Sequence, residues 1–197
     1  MTKTPMTQGS LRDLFHCEEL YRLKRLALLR RPGATPPALL TGSAFHDGIE
    51  HRSASAGADR YLADHAADWL DGDDLRAVEI GAAEVYAMVE AALLKWGDDW
   101  PTRQEVEFCL PMRNPATGRR STRHEYRGVI DGFPDDPLCG SDGWLDTVGE
   151  WKTAKNPGGG YFDRLRIDWQ ISAYCEAASR MTGRRVRRVR YRVITKP

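Results

Sequence analysis

The residues best suited to chemistry lie at Glu150-Trp151-Lys152, where a predicted strand runs into a glycine-rich loop. Side chains alternate across a strand, so Glu150 and Lys152 project from one face and Trp151 from the other. Asp131 lies near the end of another predicted strand, and it converges with Glu150 if the two strands pair. Two carboxylates suit Mg²⁺ or Mn²⁺, and a lysine beside them could stabilise charge on a phosphoryl group. This set is the one that metal-assisted phosphodiester cleavage requires, although exposed strand charges are the commoner explanation when the set is taken alone.

Two pairs of residues at helical spacing add further candidates. His46 and Glu50 lie one turn apart on a predicted helix, and histidine is a common metal ligand. Gln170 and Tyr174 have the same spacing on the helix after the Glu-x-Lys strand, where they could reach a phosphate or Lys152. Taken alone, each pair more often has a solvated or packed role.

The elements that must position these side chains change period half-way along the chain. The first half has mostly helical spacing of apolar residues, and the second half has the two-residue alternation of strands. The predicted helices cover residues 10–31 (with Ser10 and Asp13 as a capping box), 43–51, 60–70, 75–96 and 163–181, the last ended by Gly183. The predicted strands cover residues 104–110, 125–133, 144–152 and 186–194. This order indicates an α/β fold with a mixed sheet flanked by helices.

Composition limits the classes of protein that fit. The chain has 197 residues, of which 41% are hydrophobic and 29% charged, with six tryptophans, so a packed core is expected. No apolar run is long enough for a transmembrane helix, and the first residues lack a signal-peptide pattern. We expect a cytoplasmic protein without a membrane partner. It is predicted to be a single domain over 1–197, mainly helical over 1–100 and with a sheet core over 101–197.

The four cysteines are widely separated at positions 17, 109, 139 and 175. This spacing favours neither a zinc finger nor a disulfide framework. No iron–sulfur cluster is expected, because such a cluster needs four thiolates brought together. Cys109 and Cys175 are expected to be small buried hydrophobic residues.

Basic residues concentrate towards the end of the chain. The formal net charge is only +1, yet no aspartate or glutamate follows Glu176. Arg188, Arg190 and Arg192 lie in the last predicted strand, and with the N-terminal helix they could contact a DNA phosphate backbone. The alternative is an ordinary solvated face.

Taken in order, these motifs resemble a known family. Gly42-x-x-x-His46-x-x-x-Glu50, Gly128-x-Ile-Asp131, Glu150-x-Lys152-Thr153 and Gln170-x-x-x-Tyr174 resemble the RecB-like branch of the PD-(D/E)XK nuclease superfamily, which includes phage exonucleases and CRISPR-associated adaptation nucleases. The resemblance implies a restriction-endonuclease-like core that binds Mg²⁺ or Mn²⁺. It implies His46, Asp131, Glu150 and the Trp151 carbonyl as metal ligands, Lys152 as catalytic with Asp131 and Glu150, and Gln170, Tyr174 and Glu50 as supporting residues.

The function indicated is a metal-dependent DNA nuclease, with an exonuclease favoured, acting in replication, recombination or repair in a phage or bacterium. A recombination or replication protein is a candidate partner. The alternatives are a non-catalytic DNA-binding or assembly subunit on the same fold and an RNA-processing nuclease. Two features depart from the family pattern: glutamate rather than aspartate precedes x-Lys, and the interval from Asp131 to Glu150 is long.

Overall fold

The computed structural model describes residues 4–29, 36–65, 72–97, 99, 101–114, 116–136, 142–166 and 168–196. The helices are α1 (Gln8–His16), α2 (Glu18–Tyr21, continued by a π-helical turn Arg22–Leu26), α3 (Pro37–Glu50), α4 (Ala54–His65), α5 (Gly72–Trp96), α6 (Gly159–Arg166) and α7 (Trp169–Thr182). The strands are β1 (Thr4–Met6), β2 (Arg103–Arg113), β3 (Arg120–Phe133), β4 (Thr147–Ala154) and β5 (Arg188–Thr195). A 3₁₀ turn, Asp142–Trp144, precedes β4.

The five strands form one mixed sheet around β3. Strand β2 runs antiparallel along one edge of β3, and β1 lies parallel to the start of β3. Strand β4 meets β3 antiparallel only at Gly132 and Gly149, and β5 lies parallel to β4 along its whole length. The close Gly132–Gly149 approach leaves no room for a side chain, since a Cβ on Gly132 would lie 2.9 Å from the Gly149 Cα. The predicted α/β class with a mixed sheet is confirmed.

Two apolar cores cover the two faces of the sheet. One core joins α3, α4 and α5 to Trp151 of β4 and Ile194 of β5. The other core joins α7 to residues of β2, β3, β4 and β5, among them Phe108 and Val148. Helices therefore flank the sheet on both sides, and β4 contributes to both cores because its side chains alternate.

The N-terminal region differs from the prediction of one continuous helix. The chain is extended at Cys17, with φ −164°, which separates α1 from α2. The capping box is formed by Thr7 and Ser10 rather than by Ser10 and Asp13. Asp13 is buried instead and pairs with Lys24 and Arg25, so it fastens α1 to the following turn. The three-residue strand β1 was not predicted because it is too short to show alternation.

The predicted helix over 163–181 is two helices. Asp168 separates them, because its side chain accepts a hydrogen bond from the Gln170 amide and so begins α7. Gly183 ends α7 with φ +68°, as predicted from its position. The N-terminal end of α6 begins earlier than expected, inside the glycine-rich loop. The predicted helix over 60–70 is α4, and its predicted last residues, 66–70, lie outside the described residues.

Other predictions concern membranes and cysteines. None of the helices in the described ranges combines the length and apolar character that crossing a membrane requires. The prediction that Cys109 is buried is wrong, since it is exposed on β2 while its neighbour Phe108 faces the core. Cys175 is half-buried, Cys17 is exposed, and Cys139 lies outside the described residues.

Candidate active site

Three side chains from three elements meet beside the β3–β4 junction. His46 comes from α3, Glu105 from β2 and Asp131 from β3, and their potential ligand atoms all lie within 4.8 Å of one another. The His46 Nδ1 is 3.7 Å from Asp131 Oδ2 and 3.9 Å from Glu105 Oε1. Helix α3 holds His46 here because Phe45 and Ile49 on the adjacent face are buried in the core. One imidazole and two carboxylates at these separations are a donor set that a divalent cation can use.

Glu105 was not predicted to belong to this group. It lies within the predicted strand 104–110, where nothing in the sequence marked it as a candidate ligand. In the structure its φ is +47°, a left-handed conformation that costs a non-glycine residue on the order of 1 kcal/mol or more. The antiparallel register, in which Gln104 faces Gly132 and Val106 faces Ile130, places Glu105 beside Asp131. Pairing the predicted strands 104–110 and 125–133 as an antiparallel hairpin is the signal that could have found it.

Glu150 and Lys152 form the second part of the site. Glu150 is 3% exposed, and its Oε1 accepts a hydrogen bond from the Lys152 Nζ. The other oxygen, Oε2, is buried without a hydrogen-bond partner among the described residues. Burial, followed by the nearby Asp131 carboxylate, raises the pKa of Glu150 to about 7, although Lys152 acts in the opposite direction. A buried carboxylate oxygen without a hydrogen-bond partner indicates a site that a cation can occupy.

The other ionisable groups respond to the same concentration of charge. Burial raises the pKa of Asp131 above its ordinary value, despite the His46 charge and the hydrogen bond that the Trp151 amide donates to Oδ2 at 2.9 Å. Burial opposes the charged form of His46, but Glu105 and Asp131 outweigh it, so its pKa is raised. Burial likewise opposes the charged form of Lys152, and Glu150 outweighs it, so that pKa is also raised. The site therefore favours positive charge.

Helix α7 packs on the sheet face opposite α3. The Gln170 Nε2 donates a hydrogen bond of 2.6 Å to the Tyr174 hydroxyl, whereas their spacing had suggested contact with a phosphate or Lys152. Tyr174 is buried against Phe108, with ring centroids 5.7 Å apart. Burial raises the pKa of Tyr174, and the charges of Glu150 and Asp131 add to this rise. These two residues lie within electrostatic reach of the carboxylates without being among the candidate ligands.

Glu50 is not brought to the carboxylates. It is exposed on α3 and groups with Asp47 and His51, one turn away from the site. The Trp151 carbonyl, expected as a ligand, stays a prediction.

The arginines of β5 lie on the sheet face opposite Glu150 and Lys152, and the DNA contacts predicted for Arg188 and Arg190 stay predictions. Arg190 and Arg192 pair in register with Gly149 and Trp151, so they project away from Glu150 and Lys152. Arg188 and Arg190 form ion pairs with Asp146 and Asp99. Their role in DNA binding has no support from this placement.

For Arg192 the predicted DNA contact is wrong. Its side chain is 3% exposed and pairs with Asp99 at 3.0 Å. The guanidinium carbon lies 4.8 Å from the Trp151 ring centroid, 5.0 Å from that of Trp144 and 5.9 Å from that of Trp96. Burial lowers its pKa to about 10. Arg192 therefore packs over the Trp151 ring from the neighbouring strand β5, on the sheet face opposite Glu150 and Lys152.

Comparison with known families agrees with this geometry. The family model described as the PD-(D/E)XK nuclease superfamily matches residues 5–196, which include every site residue named above. The chain belongs to the PD-(D/E)XK nuclease superfamily. No curated protein matches the sequence. The sheet, the flanking helices and the Asp131/Glu150-x-Lys152 arrangement are consistent with the restriction-endonuclease-like core of PD-(D/E)XK proteins.

PD-(D/E)XK nucleases use divalent metal ions, and the residues of this chain fit one. His46, Glu105, Asp131 and Glu150 supply one nitrogen and several carboxylate oxygens, including the unpartnered Oε2 of Glu150. Mg²⁺ and Mn²⁺ favour oxygen donors, and Mn²⁺ accepts an imidazole readily. The candidate donor set therefore contains one carboxylate more than the sequence had indicated.

Proposed function

We propose that the protein is a metal-dependent deoxyribonuclease that uses Mg²⁺ or Mn²⁺ held by His46, Asp131 and Glu150, with Glu105 as an additional ligand. The observation that carries this proposal is the buried Glu150, whose free oxygen faces no hydrogen-bond donor among the described residues and whose other oxygen binds Lys152. A purely structural ion pair would have no need for two further carboxylates and an imidazole at the same junction. The membership of the nuclease superfamily supports the reaction type.

Each residue has a distinct task in hydrolysis. A divalent cation at such a site supplies acidified water and charge neutralisation on the phosphate. Asp131 is oriented by the Trp151 amide, so its Oδ2 has a fixed direction towards His46. Lys152 holds a positive charge next to Glu150 and would stabilise negative charge that develops on the scissile phosphate. Gln170 orients the Tyr174 hydroxyl at the edge of the same region.

The favoured substrate reaction is exonucleolytic cleavage of DNA in replication, recombination or repair. Such a reaction would place the protein in the cytoplasm of a phage-infected or bacterial cell, with a recombination or replication protein as a candidate partner. These finer assignments follow from the RecB-like order of the motifs.

The test is an incubation of the purified protein with linear and circular DNA, each single- and double-stranded, with Mg²⁺, Mn²⁺ or chelator. An RNA of the same sequence forms a further arm. We expect loss of linear DNA only, with Mn²⁺ at least as effective as Mg²⁺ and no reaction in chelator. Cutting of circles would show an endonuclease, and cutting of RNA alone would show an RNA-processing enzyme. Absence of cutting on every substrate would favour the non-catalytic subunit.

A further inference from the structure

The sheet face that carries Glu150 and Lys152 also carries helix α6. Tyr191 pairs with Glu150 in the β4–β5 register and so projects from the same face. Its hydroxyl donates a hydrogen bond of 3.1 Å to the carbonyl of Leu165, near the end of α6. Tyr161, near the start of α6, is close enough to Lys152 and Glu150 for their charges to act on its pKa, which burial raises. Helix α6 therefore lies directly beside the site.

Three cations on or near α6 have no ion-pair partner among the residues that the structure describes. Within the part of the chain that the structure describes, no ion pair holds Lys155, Arg164 or Arg166, and all three are exposed. Arg188 and Arg190 on the opposite face are instead ion-paired with Asp146 and Asp99. The three unpaired cations therefore place positive charge that is available to a polyanion on the side of Lys152.

Two large aromatic side chains are exposed in the same region. Phe162 is 50% exposed, and its ring lies 5.6 Å from the Tyr161 ring in an edge-to-face contact. Trp169, the first residue of α7, is 40% exposed and directly precedes Gln170. No residue of α6 is buried, so Phe162 covers no core. Single exposed aromatics are common on proteins, but here they stand among unpaired cations beside a hydrolytic site.

We propose that Phe162 and Trp169 stack the unpaired bases of a single-stranded DNA segment, while Lys155, Arg164 and Arg166 contact its phosphates and lead it to Lys152. Exposed rings suit single strands because unpaired bases offer their faces, whereas duplex bases are already stacked on one another. The adjacent unpaired cations complement a phosphate backbone. This inference rests on the proposed nuclease function and assigns the substrate form to the same site.

The experiment measures metal-free binding, so that no cutting intervenes. A labelled 20-nucleotide oligo-dT and a 20-base-pair blunt duplex are titrated with the full chain in chelator, using fluorescence anisotropy. We expect the double variant Phe162→Ala with Trp169→Ala to weaken single-strand binding by about 10-fold or more, with duplex binding changed by less than about 2-fold. Its salt dependence should stay that of the wild type, because stacking releases no counterions.

Matched variants separate stacking from charge and from surface hydrophobicity. Phe15→Ala removes an 81% exposed aromatic on α1 and should leave both affinities unchanged. Phe162→Tyr with Trp169→Phe keeps the rings and should retain single-strand binding. Arg164→Ala with Arg166→Ala should reduce the slope of log affinity against log salt by about 1.4 on the single strand. Thermal unfolding of every variant confirms that the exposed substitutions leave the fold intact.

Equal losses on both DNAs, no loss, or the same loss in Phe15→Ala would overturn the stacking proposal. The failure of the nuclease proposal looks different. Selective single-strand binding without cutting in Mg²⁺ or Mn²⁺ removes the nuclease function and leaves stacking in place. Metal-dependent cutting together with unchanged single-strand binding in the double variant removes stacking alone.

Discussion

At the scale of single residues, the site contains carboxylates whose burial or backbone conformation has a cost in folding free energy. Glu150 and Asp131 are buried within reach of each other, and Glu105 adds a third carboxylate from a left-handed backbone conformation. Such local costs persist where the surrounding structure enforces them and are typical of functional sites. Two predictions follow from the energetics of these side chains.

Replacing Glu105 should separate function from stability. Glu105→Gly removes the carboxylate but relieves the φ of +47°, so we expect weaker Mn²⁺ binding together with a thermal midpoint equal to or above that of the wild type. Glu107→Gly is the matched control, because Glu107 is exposed on the same strand and pairs with Val129. It should lower the midpoint and leave Mn²⁺ affinity unchanged. Calorimetric titration and thermal melts measure both quantities, and loss of stability in Glu105→Gly would contradict the assignment.

Glu150 should make the metal-free protein less stable as the pH rises. Its folded pKa of about 7 lies above the unfolded value, so its contribution to folding is fully present below the unfolded pKa and is lost as pH rises through about 7. Glu150→Gln removes this titration. In chelator, we expect the melting midpoint of the variant to be equal to or below that of the wild type near about pH 5, to rise relative to it between about pH 5 and 7, and to show no further relative change above about pH 8. If the difference in melting midpoint between Glu150→Gln and the wild type does not change with pH, ionising Glu150 has no energetic cost in the folded protein, and this prediction is contradicted.

At the scale of elements, the position of His46 depends on how closely α3 packs against α4 and α5. A Cβ on Gly48 would lie 2.6 Å from Val89 Cγ2 and 3.1 Å from the Gly57 Cα, so no side chain fits there. Gly48→Ala should force α3 outwards, lower the melting midpoint and weaken Mn²⁺ binding through His46. Gly159→Ala is the control for stability, since a Cβ there meets nothing within 4 Å. An unaltered midpoint and Mn²⁺ affinity in Gly48→Ala would show that His46 does not rely on this packing.

How far the sequence predicts these elements depends on the range of the interactions that fix them. The long helix α5, the hairpin strands and the Gly183 cap were predictable because periodicity and turn chemistry are local. The break at Asp168 was missed because an aspartate inside a helical pattern shows its capping role only once its side chain is placed. Glu105 was missed for a related reason, since its candidate role as a ligand depends on how close it lies to Asp131 on another strand.

At the scale of the whole molecule, charge pattern along the chain proved a poor guide to charge in space. The C-terminal arginines looked like a DNA-binding strip, but alternation sends them to the face opposite Lys152, where acidic residues and tryptophans engage them. The sequence identified the motif residues His46, Asp131, Glu150 and Lys152, because their types and order carry the family pattern. It could not show which cations remain unpaired after folding.

The ion-paired Arg188 should contribute little to DNA binding. Arg188→Ala should change the affinity for DNA in chelator by less than about 2-fold, because Arg188 is ion-paired with Asp146 and projects away from Glu150 and Lys152. Its salt dependence should also match that of the wild type, since no phosphate contact is lost. A clear loss of affinity with a flatter salt dependence would return β5 to the DNA-binding surface.

The most direct test of the central claim is the single-turnover rate of DNA cutting by Lys152→Ala. We propose that Lys152 acts on negative charge that develops only as the phosphate reacts. The variant should therefore bind Mn²⁺ and DNA nearly as well as the wild type, while its rate falls by a factor on the order of 100 to 1000. Asp131→Asn should lose cutting and Mn²⁺ affinity together, which identifies a ligand rather than a charge stabiliser. Cutting by Lys152→Ala at the wild-type rate would contradict the assignment of the active site.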